Sequence, residues 1–547
     1  MSENACRGLD LESRQMVVDT VRQLRKKLLS KENILEWDKA EVFPEAEIRE
    51  MLGPEIGLQL LFIPEAYGGM GGGARDCCKV TQETARICLG VATGFFAIQL
   101  GSDPILVGAT EEQKQKWMGR IAEGNCLVAY AVTEPGAGSN LASLKTKAEP
   151  VIENGQVKGY KITGTKQFIS TGGYADIVTV LADAPEGPTF FIVEKGTPGF
   201  KQHKGEEKHG IRASNTSPLT FDEAYVPVEN LIGGVPGIGL KQANKVFGYT
   251  RLMVASMGLG AGEAALEIAI PYAKERIQFG SPLSEKQGYT HKLIVPNVVR
   301  MAAADAYIDE VAQMLDSSEA DLQVEGAIGK VFTTEAADRT ANDCIQALGG
   351  YGYIREFGVE KIKRDVKITC IYEGTSEIQQ SIISTFRWKT SRKTKGEFYG
   401  RMAAEMDGLD AQVADAGCRF YAMAARALNK TIDLAHENRL TRQQAVMFDL
   451  ADMMTHVEVG IALGRKAVRL AQANDPQADK FKAIARVFAG DVTRLVGENA
   501  VRIAMGGGLD SAVAQQHLAD IAYQEMLAGR ANWVADMDRI ADIIFER

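Results

Sequence analysis

Three textures of apolar and polar positions follow one another along this chain. Up to residue 128 the apolar positions step at helical spacing. Leu9-Asp10-Leu11-Glu12 leads into Val17, Val21, Leu24 and Leu28, so residues 1–30 read as a charged helix. Gly68-Gly69-Met70-Gly71-Gly72-Gly73 predicts a flexible break, and a helix rich in small residues follows through residues 91–96. Near Leu127 the pattern changes to short runs of period two. Residues 159–164 and 177–181 predict strands, and Asn154-Gly155 predicts a two-residue hairpin turn. Residues 129–235 therefore read as a small antiparallel β domain. Helical spacing returns over 236–395, in segments rich in Ala, Gly and Met that permit close packing. Residues 386–398, with Lys389, Arg392, Lys393 and Lys395, read as a basic connector. Residues 396–547 are helical again, and Leu450, Met454, Val457, Ile461, Gly464 and Val468 share one helix face.

The expected organisation is thus four segments, 1–128, 129–235, 236–395 and 396–547. The last contains an internal echo. Ala327-Ile328-Gly329-Lys330-Val331-Phe332 with Gly349-Gly350 resembles Ala483-Ile484-Ala485-Arg486-Val487-Phe488 with Gly506-Gly507-Gly508. The spacings differ by about one residue, so coincidence stands beside a degenerate second copy of the helical bundle.

Composition removes several function classes. A chain of 547 residues is too long for one ordinary core, and 45% apolar with 24% charged residues is globular usage. A formal net charge of −9 gives nucleic-acid binding no electrostatic support. The eight cysteines (Cys6, Cys77, Cys78, Cys88, Cys126, Cys344, Cys370, Cys418) form no CxxC pair or zinc-like cluster, so free thiols in a reducing compartment are expected and no metal is. No signal-peptide pattern opens the chain, and no run of 18 or more apolar residues interrupts it. The expectation is a cytoplasmic protein, or one of the mitochondrial matrix in a eukaryote.

Four stretches carry candidate chemistry. The first, from Ala129 through Tyr130, Val132, Thr133, Glu134, Pro135, Gly136 and Gly138 to Ser139 and Asn140, is a strand running into a glycine turn. Its exposed amides and two hydroxyls suit a flat polar ring or a phosphate, although an ordinary turn has the same glycines. The second, Lys166-Gln167-Phe168-Ile169-Ser170-Thr171-Gly172-Gly173, sets an aromatic ring and hydroxyls at a strand end. The third is Glu275-Arg276-Ile277-Gln278-Phe279-Gly280, where an arginine and an aromatic at a helix end suit a pyrophosphate and a stacked ring, or else a salt bridge and a core Phe. The fourth runs from Gln346 and Gly349-Gly350-Tyr351-Gly352-Tyr353, through Arg364-Asp365, to Ile371-Tyr372-Glu373-Gly374-Thr375 and Gln379. A carboxylate bracketed by Ile371 and Tyr372 is expected to be partly desolvated, which suits a general base. Alone, such a glutamate is more often a surface or helix-cap residue.

In this order and spacing, with Gly210-Ile211-Arg212-Ala213-Ser214-Asn215-Thr216 and Asp222 before Val226-Pro227, the stretches resemble the acyl-CoA dehydrogenase family from about residue 10 to residue 390. The resemblance implies a mainly α fold with a central β domain: an N-terminal helical domain, a β-barrel-like middle domain and a four-helix bundle, here with a C-terminal helical extension like that of the very-long-chain subgroup. It implies FAD, with Tyr130, Val132, Thr133 and Ser139 lining the flavin and ribityl region and Phe168 and Ser170 beside the isoalloxazine, where many relatives carry Trp and Thr. Arg276, Gln278 and Phe279, with Gln346 and Gly350, would meet the FAD of a neighbouring subunit, and Thr375 with Glu377 would complete the site. Ser139, Arg251, Tyr372 and Gly374 would face the substrate.

By the same resemblance Glu373 removes the α-proton of an acyl-CoA thioester, FAD takes up the β-hydride, and a trans-2-enoyl-CoA leaves. Some relatives carry the base near Phe247-Gly248-Tyr249-Thr250-Arg251, where this chain has no carboxylate. Implied partners are an acyl-CoA, an electron-transfer flavoprotein and a second copy of the chain, with a dimer favoured over a tetramer because the extension would cover a tetramer face. The echo has no counterpart of Tyr372-Glu373-Gly374-Thr375, and Arg502 stands near the place of Gln346, so the extension reads as structural. An oxygen-using acyl-CoA oxidase and a non-enzymatic scaffold of the same fold are the alternatives.

Overall fold

The computed structural model describes residues 8–318 and 320–547. Cys6 and the first seven residues of the expected N-terminal helix lie outside them. The chain forms two compact units. One comprises 1–261, 312–323 and 361–369, and the other 262–311, 324–360 and 370–547.

In the first unit, helices Leu11–Leu24 and Lys31–Ala40 begin at Asp10 and Ser30, whose side chains accept the amides of Ser13 and Asn33. The run of glycines at 68–73 is packed closely against residues 60–63. The amides of Met70, Gly71 and Gly72 donate to the carbonyls of Leu60, Ile63 and Leu61 at 2.7–2.9 Å, and a Cβ on Gly69 would lie 1.9 Å from the Ile63 oxygen. The glycines let two backbones close on each other. Helices Leu89–Gly108 and Gly239–Glu275 are long and apolar enough to cross a membrane, unlike the sequence expectation, yet 83% and 78% of their apolar windows are buried within the protein.

Strands β1 (Val128–Ala131), β2 (Lys147–Glu153), β3 (Gln156–Ser170), β4 (Ile177–Ala184), β5 (Gly187–Glu194), β6 (Phe200–Gln202) and β7 (Thr216–Pro227) make one sheet, ordered β1-β4-β2-β3-β7-β6 with β5 beside β4. The sheet is mixed, not purely antiparallel. β1 runs parallel to β4 over four residue pairs, and β2 meets β4 in parallel at Lys147 and Asp183. Those pairings join distant segments, so local periodicity does not reveal them. Asn154 and Gly155 both have positive φ, 52° and 75°, and turn β2 into β3 as the sequence predicts. Helix Leu89–Gly108 lies close on β1. A Cβ on Gly101 would sit 2.9 Å from the Ala129 amide nitrogen, and the Thr179 hydroxyl donates to the Gly101 carbonyl.

The second unit is helical. Residues 386–393, expected as part of a connector, complete helix Ser376–Lys393. Arg387, which is buried, donates to both carboxylate oxygens of Glu458 at 2.8 Å and to Glu325 at 2.7 Å, and the Tyr399 hydroxyl donates to Glu458 at 3.1 Å. These contacts tie helices Gln323–Leu348 and Ser376–Lys393 to Glu397–Gln412 and Gln444–Gln472. The expected face of Gln444–Gln472 is buried throughout. The echoed segments lie on helices Gln323–Leu348 and Ala478–Gly506, and their matching Phe332 and Phe488 meet edge to face at 5.7 Å. The seven described cysteines are buried and none is disulfide-bonded, and burial pushes the thiols of Cys77 and Cys126 up to about 12.

Candidate active site

The two glycine-rich stretches of the first unit are one construction. Lys166 points inward from β3 and is fully buried. Its Nζ donates to Glu134 Oε1 at 2.8 Å and to the Val132 carbonyl at 3.1 Å. Glu134 also accepts the amides of Lys145 and Thr146 at 2.7 and 3.1 Å, and the Gln167 amide donates to the Thr133 carbonyl at 2.9 Å. Burial alone would raise the Glu134 carboxyl, but Lys166, Thr146 and the Lys145 amide outweigh it and hold the group below the ordinary glutamate range. The sequence reading treated Glu134 and Lys166 as neighbours of the chemistry. They are the brace that fixes both stretches, and two unlike charges in separate glycine-rich motifs were the available signal.

The residues around this brace differ in exposure. Tyr130 lies on β1 with its ring stacked on Phe190 at 5.8 Å, Val132 is buried, and Thr133 is half-buried. Ser139 is exposed beside Gly138, where an added Cβ would meet nothing within 4 Å. β3 bulges between Lys166 and Ile169, which turns Phe168 outward at φ 60° with 62% of its surface exposed. Ser170, half-buried, ends the strand opposite Thr216. The first unit thus presents an exposed aromatic ring at Phe168 and an unfilled glycine turn at Gly138. Arg251 is buried and donates to the Gln323 carbonyl at 3.3 Å. Arg364 and Asp365 prove structural. Arg364 pairs with Asp38 at 2.6 Å, while Asp365 pairs with Lys361 and accepts the Ile211 amide at 2.6 Å.

In the second unit, Arg276 does not sit on a helix. The helix ends at Glu275, and Ile277–Gln278 and Ser281–Pro282 form a minute hairpin whose turn residues, Phe279 and Gly280, have φ 50° and 82°. Phe279 is 96% exposed, which excludes a core role within this chain. The Arg276 guanidinium lies 5.9 Å from the Tyr351 ring, so the hairpin and the turn that includes Gly350 come together. Gln346 is exposed near the end of its helix.

Glu373 lies in a turn between the short helix Lys367–Cys370 and helix Ser376–Lys393. Glu373 has φ 54° and Gly374 φ 89°. A non-glycine side chain rarely occupies this left-handed region. The turn is held from below. Gln379 Nε2 donates to the Glu373 carbonyl at 2.9 Å and to the Gly374 carbonyl at 3.1 Å, and Lys330 Nζ donates to the Gly374 carbonyl at 2.8 Å. Thr375 caps the following helix through the Ile378 amide, Ser376 donates to Glu335 at 2.6 Å, and Glu377 in the first turn is exposed. Tyr372 and Glu373 are half-buried.

Residues 12–125, 129–224 and 237–386 match the N-terminal, middle and C-terminal domains of acyl-CoA dehydrogenase, and the chain belongs to the acyl-CoA dehydrogenase family. It is 39% identical over 379 residues to an acyl-CoA dehydrogenase of Bacillus subtilis (strain 168), covering 68% of this chain and 96% of that protein. It is 37% identical over 354 residues to the acryloyl-CoA reductase (NADH) of Anaerotignum propionicum, covering 64% and 88%. A crystal structure of an acyl-CoA dehydrogenase from Bacillus anthracis, complexed with FAD, superposes with a TM-score of 0.86 at 24% identity, over 98% of this chain and 95% of that one. The shared fold therefore includes the C-terminal extension.

Proposed function

We propose that this protein is an FAD-dependent acyl-CoA dehydrogenase in which Glu373 removes the α-proton of the thioester. The observation that carries the reading is the left-handed turn at Glu373. A glutamate whose main chain is held in a left-handed turn by Gln379 and Lys330 suits a positioned base. The exposed Phe168 ring, the open Gly138 turn and the hydroxyls of Thr133, Ser139 and Ser170 fit an isoalloxazine and its ribityl chain. Arg276 and Gln278, with Phe279, Gln346 and Gly350, offer a cation, amides and an aromatic face for a dinucleotide bound across a subunit boundary, which makes the working form a homo-oligomer. Thr375 and Glu377 complete that set.

FAD, when bound, supplies the two-electron acceptor for the β-hydrogen. The protein supplies position and charge. The Glu373 carboxylate takes the α-proton, and its backbone N–H donates to the thioester carbonyl as negative charge develops there. Ser139, Arg251, Tyr372 and Gly374 shape the surrounding surface. The product is a trans-2-enoyl-CoA, and an electron-transfer flavoprotein removes the electrons.

Anaerobic addition of acyl-CoAs of varied length and branching to the purified protein tests the reaction and its substrate class. Bleaching of the flavin absorbance with formation of enoyl-CoA is expected, and no bleaching with any acyl-CoA rejects the reading. Admitting air then tests the acceptor. Slow return of the oxidised spectrum fits an electron-transfer flavoprotein, and rapid return makes the protein an oxidase.

A further inference from the structure

We propose that Lys330, assisted by Gln379, is a positioning residue that sets the angle of Glu373 by gripping the carbonyls of its turn. The inference rests on the reading of Glu373 as the base and names the parts of the bundle that hold it.

Lys330 lies on helix Gln323–Leu348 with no exposed surface. Burying an ammonium is costly, and a position that needed only bulk would be filled by Leu or Met. The lysine instead spends a donor on a backbone carbonyl, that of Gly374, at 2.8 Å. The same carbonyl accepts Gln379 Nε2, which also reaches the Glu373 carbonyl. Gln379 is itself fully buried, and its Oε1 has no partner among the described residues, so the amide is oriented by these two carbonyls. The two peptide planes that flank Gly374, Glu373–Gly374 and Gly374–Thr375, are therefore fixed by side chains, at the point where φ values of 54° and 89° need outside support.

The echo shows what the position does when no catalytic turn is present. Arg486 stands where Lys330 stands, and it reaches forward in the same way, to the first turn of the final helix, Trp533–Phe545. There it meets a carboxylate side chain, Asp536, with Nε 3.0 Å from both oxygens. A basic residue at this place fastens the start of a later helix in both copies. Arg486 also donates to the Asp415 carbonyl at 2.6 Å, whereas the carbonyl that Lys330 grips belongs to the left-handed turn at Glu373 and Gly374.

The test uses the full-length, FAD-loaded enzyme. Lys330→Met keeps the bulk and removes the grip. A displacement of about 1 Å costs on the order of 100-fold, so kcat should fall about 10- to 100-fold while KM and FAD content stay within about twofold. The isotope effect with α-deuterated substrate should rise as proton removal becomes slower. Lys330→Gln, which restores a neutral donor, should recover most of the loss. A Lys330→Met enzyme with unchanged kcat and isotope effect, or one whose activity falls only with its FAD content, overturns the proposal. If Lys330→Met cannot be obtained folded, Gln379→Leu loosens the other grip and is judged by the same outcomes. Wild-type enzyme that turns over no acyl-CoA would defeat the reading of Glu373 instead, so the two failures are distinct.

Discussion

Replacing Glu134 by Gln should loosen the middle sheet more than any other single change to a charged side chain there. The Lys166 side chain has no exposed surface and the Glu134 side chain 3%. After the change, Lys166 keeps the Val132 carbonyl and loses its anion. A buried charge left without its partner costs about 3–5 kcal/mol. Lys166→Met should cost less, about 1–3 kcal/mol, because Glu134 keeps the Lys145 and Thr146 amides. The double variant should recover part of the loss, with a coupling of about 2 kcal/mol or more. Hydrogen exchange of the β3 amides, Gln156–Ser170, reads the opening free energy of this sheet without requiring the whole chain to unfold in one step. The effect also has a pH window. Glu134 is held below the ordinary glutamate value, so its stabilisation is fully present above that value and is lost as pH falls through the lower, folded one. The protection lost in Glu134→Gln should therefore be constant from neutral pH down to about 5 and shrink in stronger acid. A loss below about 1 kcal/mol at neutral pH, or strictly additive single changes, would refute the reasoning.

Two further expectations follow from the second unit. Gly374→Ala places a Cβ 2.5 Å from Gln379 Nε2 at a φ of 89°, so kcat should drop about 10-fold or more with the thermal unfolding profile nearly intact, and full activity would show that the turn tolerates rearrangement. Arg387→Met strands Glu458 in the interior and should cost about 3–5 kcal/mol in exchange protection of helix Gln444–Gln472, with partial recovery on adding Glu458→Gln.

The strands, the Asn154-Gly155 turn and the buried face of Gln444–Gln472 were legible because each is set by local chemistry: alternation, positive φ, and steps of three and four. What escaped the sequence depends on partners far along the chain. The parallel pairing of β1 with β4 joins segments some fifty residues apart, as Tyr130 and Thr179 illustrate. The glycine run at 68–73 looked mobile because composition cannot tell a glycine chosen for freedom from one chosen for closeness. Arg276 looked like a helix end because nothing local marks a two-residue strand. Among the candidate residues, Glu373 and the four motif stretches were visible, but the supports were not. Glu134 and Lys166 belong to different stretches, and Lys330 drew notice only as a letter in a repeat.

The central claim is that Glu373 takes the α-proton. Its most direct test is single-turnover bleaching of the bound flavin by an acyl-CoA in Glu373→Gln, which keeps shape and removes basicity. A positioned base is worth about 100- to 10,000-fold, so bleaching should slow by at least about 100-fold while acyl-CoA binding persists. Bleaching within about threefold of the wild-type rate would contradict the claim and place the base elsewhere.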